Sequence, residues 1–270
     1  MNKHIGILGC GWLGFPLGKA LRQNGHKVRG ATRSKEQWER IKNSAISPFL
    51  LEVKEDKIEG ELDFFTGLGL LIIALPPGLR SNPKRNFAQS IATVIQTLRK
   101  NQIQNVVFIS STSVYGDQNG KISECSLALP KTSSGKQLLA CEKQLHAHKE
   151  FKTLIFRFGG LIGNGRHPIY TLSGRNELPN PEGYINFVHL EDCIGMLIKA
   201  LEKPISNCVY NGVSPYHPTR REYYSKMAHL AQLPPPTFSE LTTETKIISS
   251  EKFQNKFSYS FLVENLLTLK

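Results

Sequence analysis

The chain of 270 residues carries 40% hydrophobic and 21% charged residues, so an ordinary globular core fits and a disordered or fibrous chain does not. Its 34 Lys and Arg against 22 Asp and Glu give a net charge of +12, yet no basic block interleaved with aromatics marks a nucleic-acid surface. The strongest later apolar run, Leu68 to Leu75, falls far short of the roughly 20 residues a membrane helix needs.

The first apolar run, His4–Leu8, leads through a glycine-rich turn to Leu13, Leu17, Ala20 and Leu21 at helical spacing, with Gly25 as the stop. Lys27–Thr32 follows as a second strand, Lys35–Lys42 as a helix and Phe49–Val53 as a third strand. A fourth strand, Leu70–Leu75, ends at Pro76-Pro77-Gly78. Phe87, Ile91, Val94, Ile95 and Leu98 mark one face of a helix over 87–100. Asn105–Ser110 is a fifth strand, Gly135–His148 a helix and Thr153–Phe158 a sixth strand. Near-continuous apolar strands alternating with helices predict an α/β fold, a Rossmann-type doubly wound parallel sheet. Beyond Gly163 the rhythm breaks into Gly, Pro and Asn-rich loops. A dinucleotide-binding domain over 1–163 and a smaller C-terminal substrate lobe over 164–270 are therefore expected, with 185–201 packing back on the first domain. Within that lobe Thr219 and Glu222 form a capping box, 233–237 a stiff linker, Ile247-Ile248-Ser249 a strand and Phe261–Leu269 a final helix.

The five cysteines are odd in number and widely spaced, with no C-x-x-C pair and no Cys/His set at zinc spacing. Free thiols in a cytoplasmic protein without a metal site are expected. Lys3 before the run from Ile5 to Cys10 imitates a lipoprotein signal, but that run is too short and too rich in glycine to act as one.

Gly9-Cys10-Gly11-Trp12-Leu13-Gly14 fits G-x-G-x-x-G between a strand and a helix, the context in which such a turn binds a dinucleotide pyrophosphate. At the end of the second strand, where an NAD site places a carboxylate on the ribose, stand Thr32, Arg33 and Ser34. The Arg33 fork suits a 2′-phosphate, so NADP is expected ahead of NAD.

These residues, with Ala74-Leu75-Pro76-Pro77, the run from Val107 to Gly116, Arg157–Gly163 and Asn186–Asp192, resemble the extended short-chain dehydrogenase/reductase superfamily, the epimerase and dehydratase group. The resemblance implies a hydride-transfer chemistry on a small, anionic, nucleotide-sugar-like substrate, and a homodimer. It implies cofactor contacts at Gly9, Gly11, Trp12, Leu13, Gly14, Thr32, Arg33, Ser34, Leu75, Pro76, Pro77, Ser110 and Lys136. It implies a catalytic set in which the hydroxyl is Ser111 and the lysine Lys136. The tyrosine four residues before that lysine is replaced by Thr132, whose aliphatic hydroxyl is far less acidic than a phenol. Tyr115, Tyr184 or His189 can supply the proton instead, or orientation and electrostatics can carry the reaction without it. The third alternative is an inactive NADP(H)-binding sensor. Tyr115 can equally pack beneath the nicotinamide, and His189 can be structural. Arg157, Arg166, His167 and Arg175 are candidates for an anionic substrate.

Overall fold

The computed structural model describes residues 4–241 and 245–269. The chain forms two compact units, one of residues up to 110 with 132–156 and 200–209, the other of 111–131, 157–199 and 210 onwards.

The first unit opens with β1 (His4–Leu8), α1 (Gly14–Gln23), β2 (Lys27–Thr32), α2 (Lys35–Lys42) and β3 (Ser47–Val53). It continues through β4 (Ile58–Gly60), β5 (Leu70–Ile73), α3 (Phe87–Lys100) and β6 (Asn105–Ser111). Then come β7 (Gly120–Ile122), α4 (Ser133–Ala147), β8 (Lys152–Phe158), β9 (Gly160–Ile162), α5 (Ile169–Leu172), β10 (Phe187–His189) and α6 (Leu190–Leu201). The last elements are β11 (Cys208–Gly212), α7 (Arg220–Leu230), β12 (Lys246–Ile248) and α8 (Glu251–Phe257).

Eight strands line up in the order β11-β8-β6-β5-β1-β2-β3-β4. β1 pairs in parallel with β2 on one side and β5 on the other, so the chain winds outward in both directions from β1. Such a reversal of strand order opens a crevice at the carboxyl ends of the central strands. The sheet is the doubly wound Rossmann type expected from the alternation. β5 is buried along its whole length, which only a sheet covered on both faces allows. α1 turns Gly14, Leu17, Gly18 and Leu21 inward, and α3 buries Phe87, Ile91, Val94, Ile95 and Leu98.

Three local differences have plain causes. β3 starts at Ser47, two residues before the expected Phe49: Ser47 and Pro48 pair opposite Arg29 and Gly30, although a proline, which cannot donate a ladder bond, reads in the sequence as lying outside a strand. The sequence pattern misses β4, a three-residue antiparallel return onto β3 too short to show a period. The fourth predicted strand stops at Ile73, although the Ala74 N–H still donates to the Leu8 carbonyl (2.8 Å), because Pro76 and Pro77 carry no N–H to extend it.

The second unit holds two small parallel pairs, β9 with β10 and β7 with β12. Thr219 caps α7, its Oγ1 accepting from the Glu222 N–H (3.2 Å). Tyr223, Tyr224 and Met227 of that helix join Ile162, Ile169, Ile185, Leu266 and Leu267 in one apolar cluster. The expected final helix over 261–269 is replaced by a single 3₁₀ turn at Leu266–Thr268, and the helix falls earlier, in α8. Phe253 and Phe257, one turn apart and stacked at 4.5 Å, are the only apolar residues in α8, too few for a recognisable stripe.

Asp192, fully buried near the start of α6, holds the tail. Its carboxylate accepts from the Tyr259 hydroxyl (2.9 Å) and from the N–H groups of Leu262 (2.7 Å) and Val263 (3.0 Å). Removing the acceptor leaves three part-buried donors unmatched, each worth up to about 1–3 kcal/mol. Asp192→Ala is expected to lower stability by roughly 3 kcal/mol or more in urea denaturation, and Asp192→Asn by less because its oxygen still accepts.

Candidate functional site

The turn between β1 and α1 shows what each glycine is for. Gly9 has φ 99°, and a Cβ there would lie 2.8 Å from the Ala74 carbonyl oxygen at the end of β5. A Cβ on Gly14 would lie 2.3 Å from the Gly9 carbonyl oxygen. Gly11 differs, because its φ is not positive and a Cβ would meet nothing within 4 Å. Packing therefore demands two of the glycines, and the third leaves open space.

Around the turn the chain is tied down. The Cys10 N–H donates to the Ala31 carbonyl (2.8 Å), and Gln37 Nε2 of α2 donates to the Cys10 carbonyl (2.9 Å). The Cys10 sulfur is buried against Gly30, where a Cβ would sit 2.7 Å away, and burial pushes the thiol up to about 12. Leu13 stands at the cap of α1 with no side-chain cap, whereas Ser34, Asn86 and Thr132 cap α2, α3 and α4 through their side chains. The Phe15 N–H donates to the Gly11 carbonyl (2.9 Å), the Leu17 N–H to the Leu13 carbonyl (3.1 Å) and Pro16 has none, so the helix start offers an anion its positive dipole end and the N–H groups of Leu13 and Gly14. Leu13 is buried, so only its backbone faces outward, while Trp12 is half-buried.

At the end of β2 the two hydroxyls serve the turn. Thr32 Oγ1 accepts from the Ser34 N–H (3.2 Å), and Ser34 Oγ from the Gln37 N–H (3.2 Å). Arg33 extends outward, its side chain 74% exposed and 3.8 Å from Glu52. At the end of β5, Leu75 and Pro77 are half-buried and Pro76 is exposed.

Two hydroxyls expected near the site find partners within the chain. Ser110 Oγ donates to Glu142 Oε1 at 2.5 Å, and both residues are buried. Tyr115 is fully buried, its hydroxyl donates to Asn211 Oδ1 (2.8 Å), and the Arg157 guanidinium lies 4.9 Å over its ring. Burial raises its pKa against the opposing pull of Arg157. Arg157 thereby packs on Tyr115 within the second unit.

Ser111 caps the 3₁₀ turn Thr112–Tyr115, its Oγ accepting from the Ser113 N–H (3.1 Å) and keeping its own proton for another acceptor. Thr132 caps α4, with Oγ1 accepting from the Gly135 N–H (3.1 Å). Lys136 lies one turn on, exposed, its N–H donating to the Thr132 carbonyl (2.9 Å). Ser111 and Tyr115 belong to the second compact unit, Thr132 and Lys136 to the first.

The histidines serve packing. His189 Nδ1 accepts from the Glu191 N–H (3.4 Å), and its ring packs so closely on Gly163 that a Cβ there would stand 2.7 Å from Nε2. His167 Nδ1 accepts from the Ile169 N–H (3.1 Å), so Nε2 carries the hydrogen it gives to the Tyr223 oxygen at 2.7 Å. Burial lowers its pKa, which keeps it neutral. Tyr184 is partly exposed, and Arg166 and Arg175 are exposed. Among the described residues no group of three His, Cys, Asp or Glu could hold a metal, and no helix is long and apolar enough to cross a membrane.

A sheet that reverses its order at β1, a glycine turn opening α1 and a Ser-Ser-Thr-Ser-Val-Tyr turn after β6 define a Rossmann-type short-chain dehydrogenase/reductase. The chain belongs to the extended, NAD(P)-dependent epimerase/dehydratase-like branch of that superfamily. It is 34% identical over 264 residues to Protein YeeZ of Escherichia coli strain K12, with 96% of each chain covered. No family model matches it. Among solved structures, a functionally unknown conserved protein from Silicibacter pomeroyi superposes with TM-score 0.76 at 24% identity, covering 98% of this chain and 95% of that one. MoeE5 in complex with UDP-glucose and NAD superposes with TM-score 0.78 at 20% identity, again covering 98% and 95%.

The glycines separate fold from ligand. Gly14→Ala forces a Cβ onto a carbonyl oxygen and is expected to cost about 2 kcal/mol in denaturant unfolding, as overpacked sites do. Gly11→Ala enters open space and is expected to change stability by under about 0.5 kcal/mol.

Proposed function

We propose that the protein is an NAD(P)-dependent oxidoreductase of the epimerase/dehydratase kind, preferring NADP and acting on a small anionic, nucleotide-sugar-like substrate. The observation that carries this reading is Gly11, a glycine that no contact or backbone angle of the chain requires, next to the uncapped start of α1. A diphosphate seated there would receive the N–H groups of Leu13 and Gly14 at the positive end of the helix. The backbone of Gly9–Gly14, Arg33 and Ser34, and Leu75–Pro77 at the end of β5 would line the cofactor. Lys136 would reach its ribose hydroxyls.

When bound, the nicotinamide supplies the hydride acceptor or donor. Ser111, whose proton is uncommitted to its cap, would donate a hydrogen bond to the substrate oxygen at the reacting carbon. Thr132 would not act as an acid, since its hydroxyl is aliphatic and already accepts the Gly135 N–H. Proton transfer then falls to a group on the substrate or to ordered water, with orientation carrying much of the rate. The substrate class draws support from MoeE5, described with UDP-glucose and NAD. The Thr132 cap also favours a second reading, an NADP(H)-binding protein without turnover.

Ligand at roughly a hundred times its Kd adds about 2.7 kcal/mol to folded stability. Thermal unfolding is therefore expected to shift up by several degrees with NADP and by less with NAD, and Arg33→Asp to narrow or invert the gap. Equal shifts in the parent protein would remove the case for Arg33, and no shift with either would remove the dinucleotide reading. To separate the two functional readings, Thr132→Tyr is expected to raise reductase turnover by roughly a hundredfold if an acid position stands vacant. No gain, with cofactor still bound, favours the non-catalytic protein.

A further inference from the structure

The loop between β5 and α3 is cationic. No acidic residue occurs between Asp63 and Asp117, while the six residues from Arg80 to Arg85 bring Arg80, Lys84 and Arg85. Of these, Arg85 is half-buried and anchored. Its guanidinium lies 5.5 Å over the Phe87 ring, and Nη2 donates to the Val53 carbonyl at the end of β3 (3.5 Å). Its own carbonyl accepts from Gln137 Nε2 of α4 (3.0 Å), and the Gly78 backbone, at φ 73°, packs close enough that a Cβ there would lie 3.0 Å from Nη1.

Arg33 converges on the same strand end. The register that pairs Thr32 with Leu50 brings it alongside Glu52, the neighbour of Val53. Burial first, and the Arg33 charge next, weaken Arg85's hold on its proton, so the two cations feel each other. Glu52 and Glu55 partly offset them, and Glu55 is also engaged by the Asn86 N–H (2.7 Å). Two guanidiniums gathered at the carboxyl ends of β2 and β3, one fixed and one free to swing, suit a dianionic phosphate monoester better than the singly charged groups of a diphosphate bridge.

We propose that Arg85 is the second, preset half of a phosphate-monoester site, taking the 2′-phosphate of a dinucleotide's adenosine together with Arg33, which leaves Glu52 to close on it. The proposal rests on the dinucleotide reading, and fragments lacking nicotinamide test it apart from catalysis. Calorimetric titration compares adenosine 2′,5′-bisphosphate with ADP. The parent protein is expected to favour the bisphosphate, and Arg85→Gln to reduce the ratio of the two affinities about tenfold, the worth of one charge-assisted hydrogen bond. Arg85→Lys, which keeps the charge and stem but loses the fork, is expected to fall between. Glu52→Gln, which frees Arg33, is expected to raise the ratio. No preference in the parent, an unchanged ratio in a folded Arg85→Gln, or no rise in Glu52→Gln overturns the proposal and leaves the glycine-turn site standing. Failure of both nucleotides to bind overturns the dinucleotide reading as well.

Discussion

The closeness of helix α1 to strand β1 governs the first unit. Gly14 lies against the carbonyl of Gly9 and the Ile7 side chain of β1, and having no side chain of its own it lets the helix start close to the strand it leaves. That approach lets Leu17 and Leu21 reach the sheet and aims the first helical turn at the strand ends. Gly18, where a Cβ would fall 2.7 Å from Ile46 Cδ1, continues the same closeness one turn further. A larger residue at either position would lift the helix, and the geometry that suits an anion would go with it. The open turn is therefore a by-product of packing, with Gly11 the one glycine of the three that packing does not require.

This explains why the first half was legible in the sequence and the second much less so. β1, β2 and α3 begin and end where the apolar pattern says, because each buries a run or stripe whose period leaves little choice, and α2, which buries only Ile41, starts where Ser34 caps it. The short pairs β9–β10 and β7–β12 have three residues each and no period to detect. Their partners are far apart in the chain, and polar side chains hold them. Asn186 illustrates this: its Nδ2 donates to the Lys246 carbonyl (2.9 Å) and its Oδ1 accepts from the Ile248 N–H (2.8 Å). Nothing in a linear string distinguishes such an Asn from one on the surface.

The motif positions of the candidate site were legible to a similar degree, and the partners of their side chains were not, for a related reason. A motif identifies a position, but burial and partners decide what the side chain can do there. Ser110 and Tyr115 sit where the family pattern puts them, yet Glu142 and Asn211 have claimed their hydroxyls. Glu142 lies on α4, thirty-two positions after Ser110, and carries no motif of its own. Thr132 also sits where expected, and its short hydroxyl is a suitable helix cap, a task a tyrosine ring cannot perform in that geometry. Thr132 thus contributes to local helix stability.

Gln37 joins the glycine turn to the start of α2. It donates from α2 to the carbonyl of Cys10 inside the glycine turn, while its own N–H is held by Ser34 at the start of the same helix. Ser34 adjoins Arg33, so the residue that faces the strand-end cations and the turn that faces the uncapped helix are linked through two hydrogen bonds and one helical turn. Movement of either part must stretch those bonds, each worth about 1 kcal/mol net. A ligand reaching both ends would meet a surface whose spacing is already set, and little ordering cost would be left for binding to cover. The same linkage makes Gln37, which no motif singles out, a residue whose loss would loosen the glycine turn without touching any ligand.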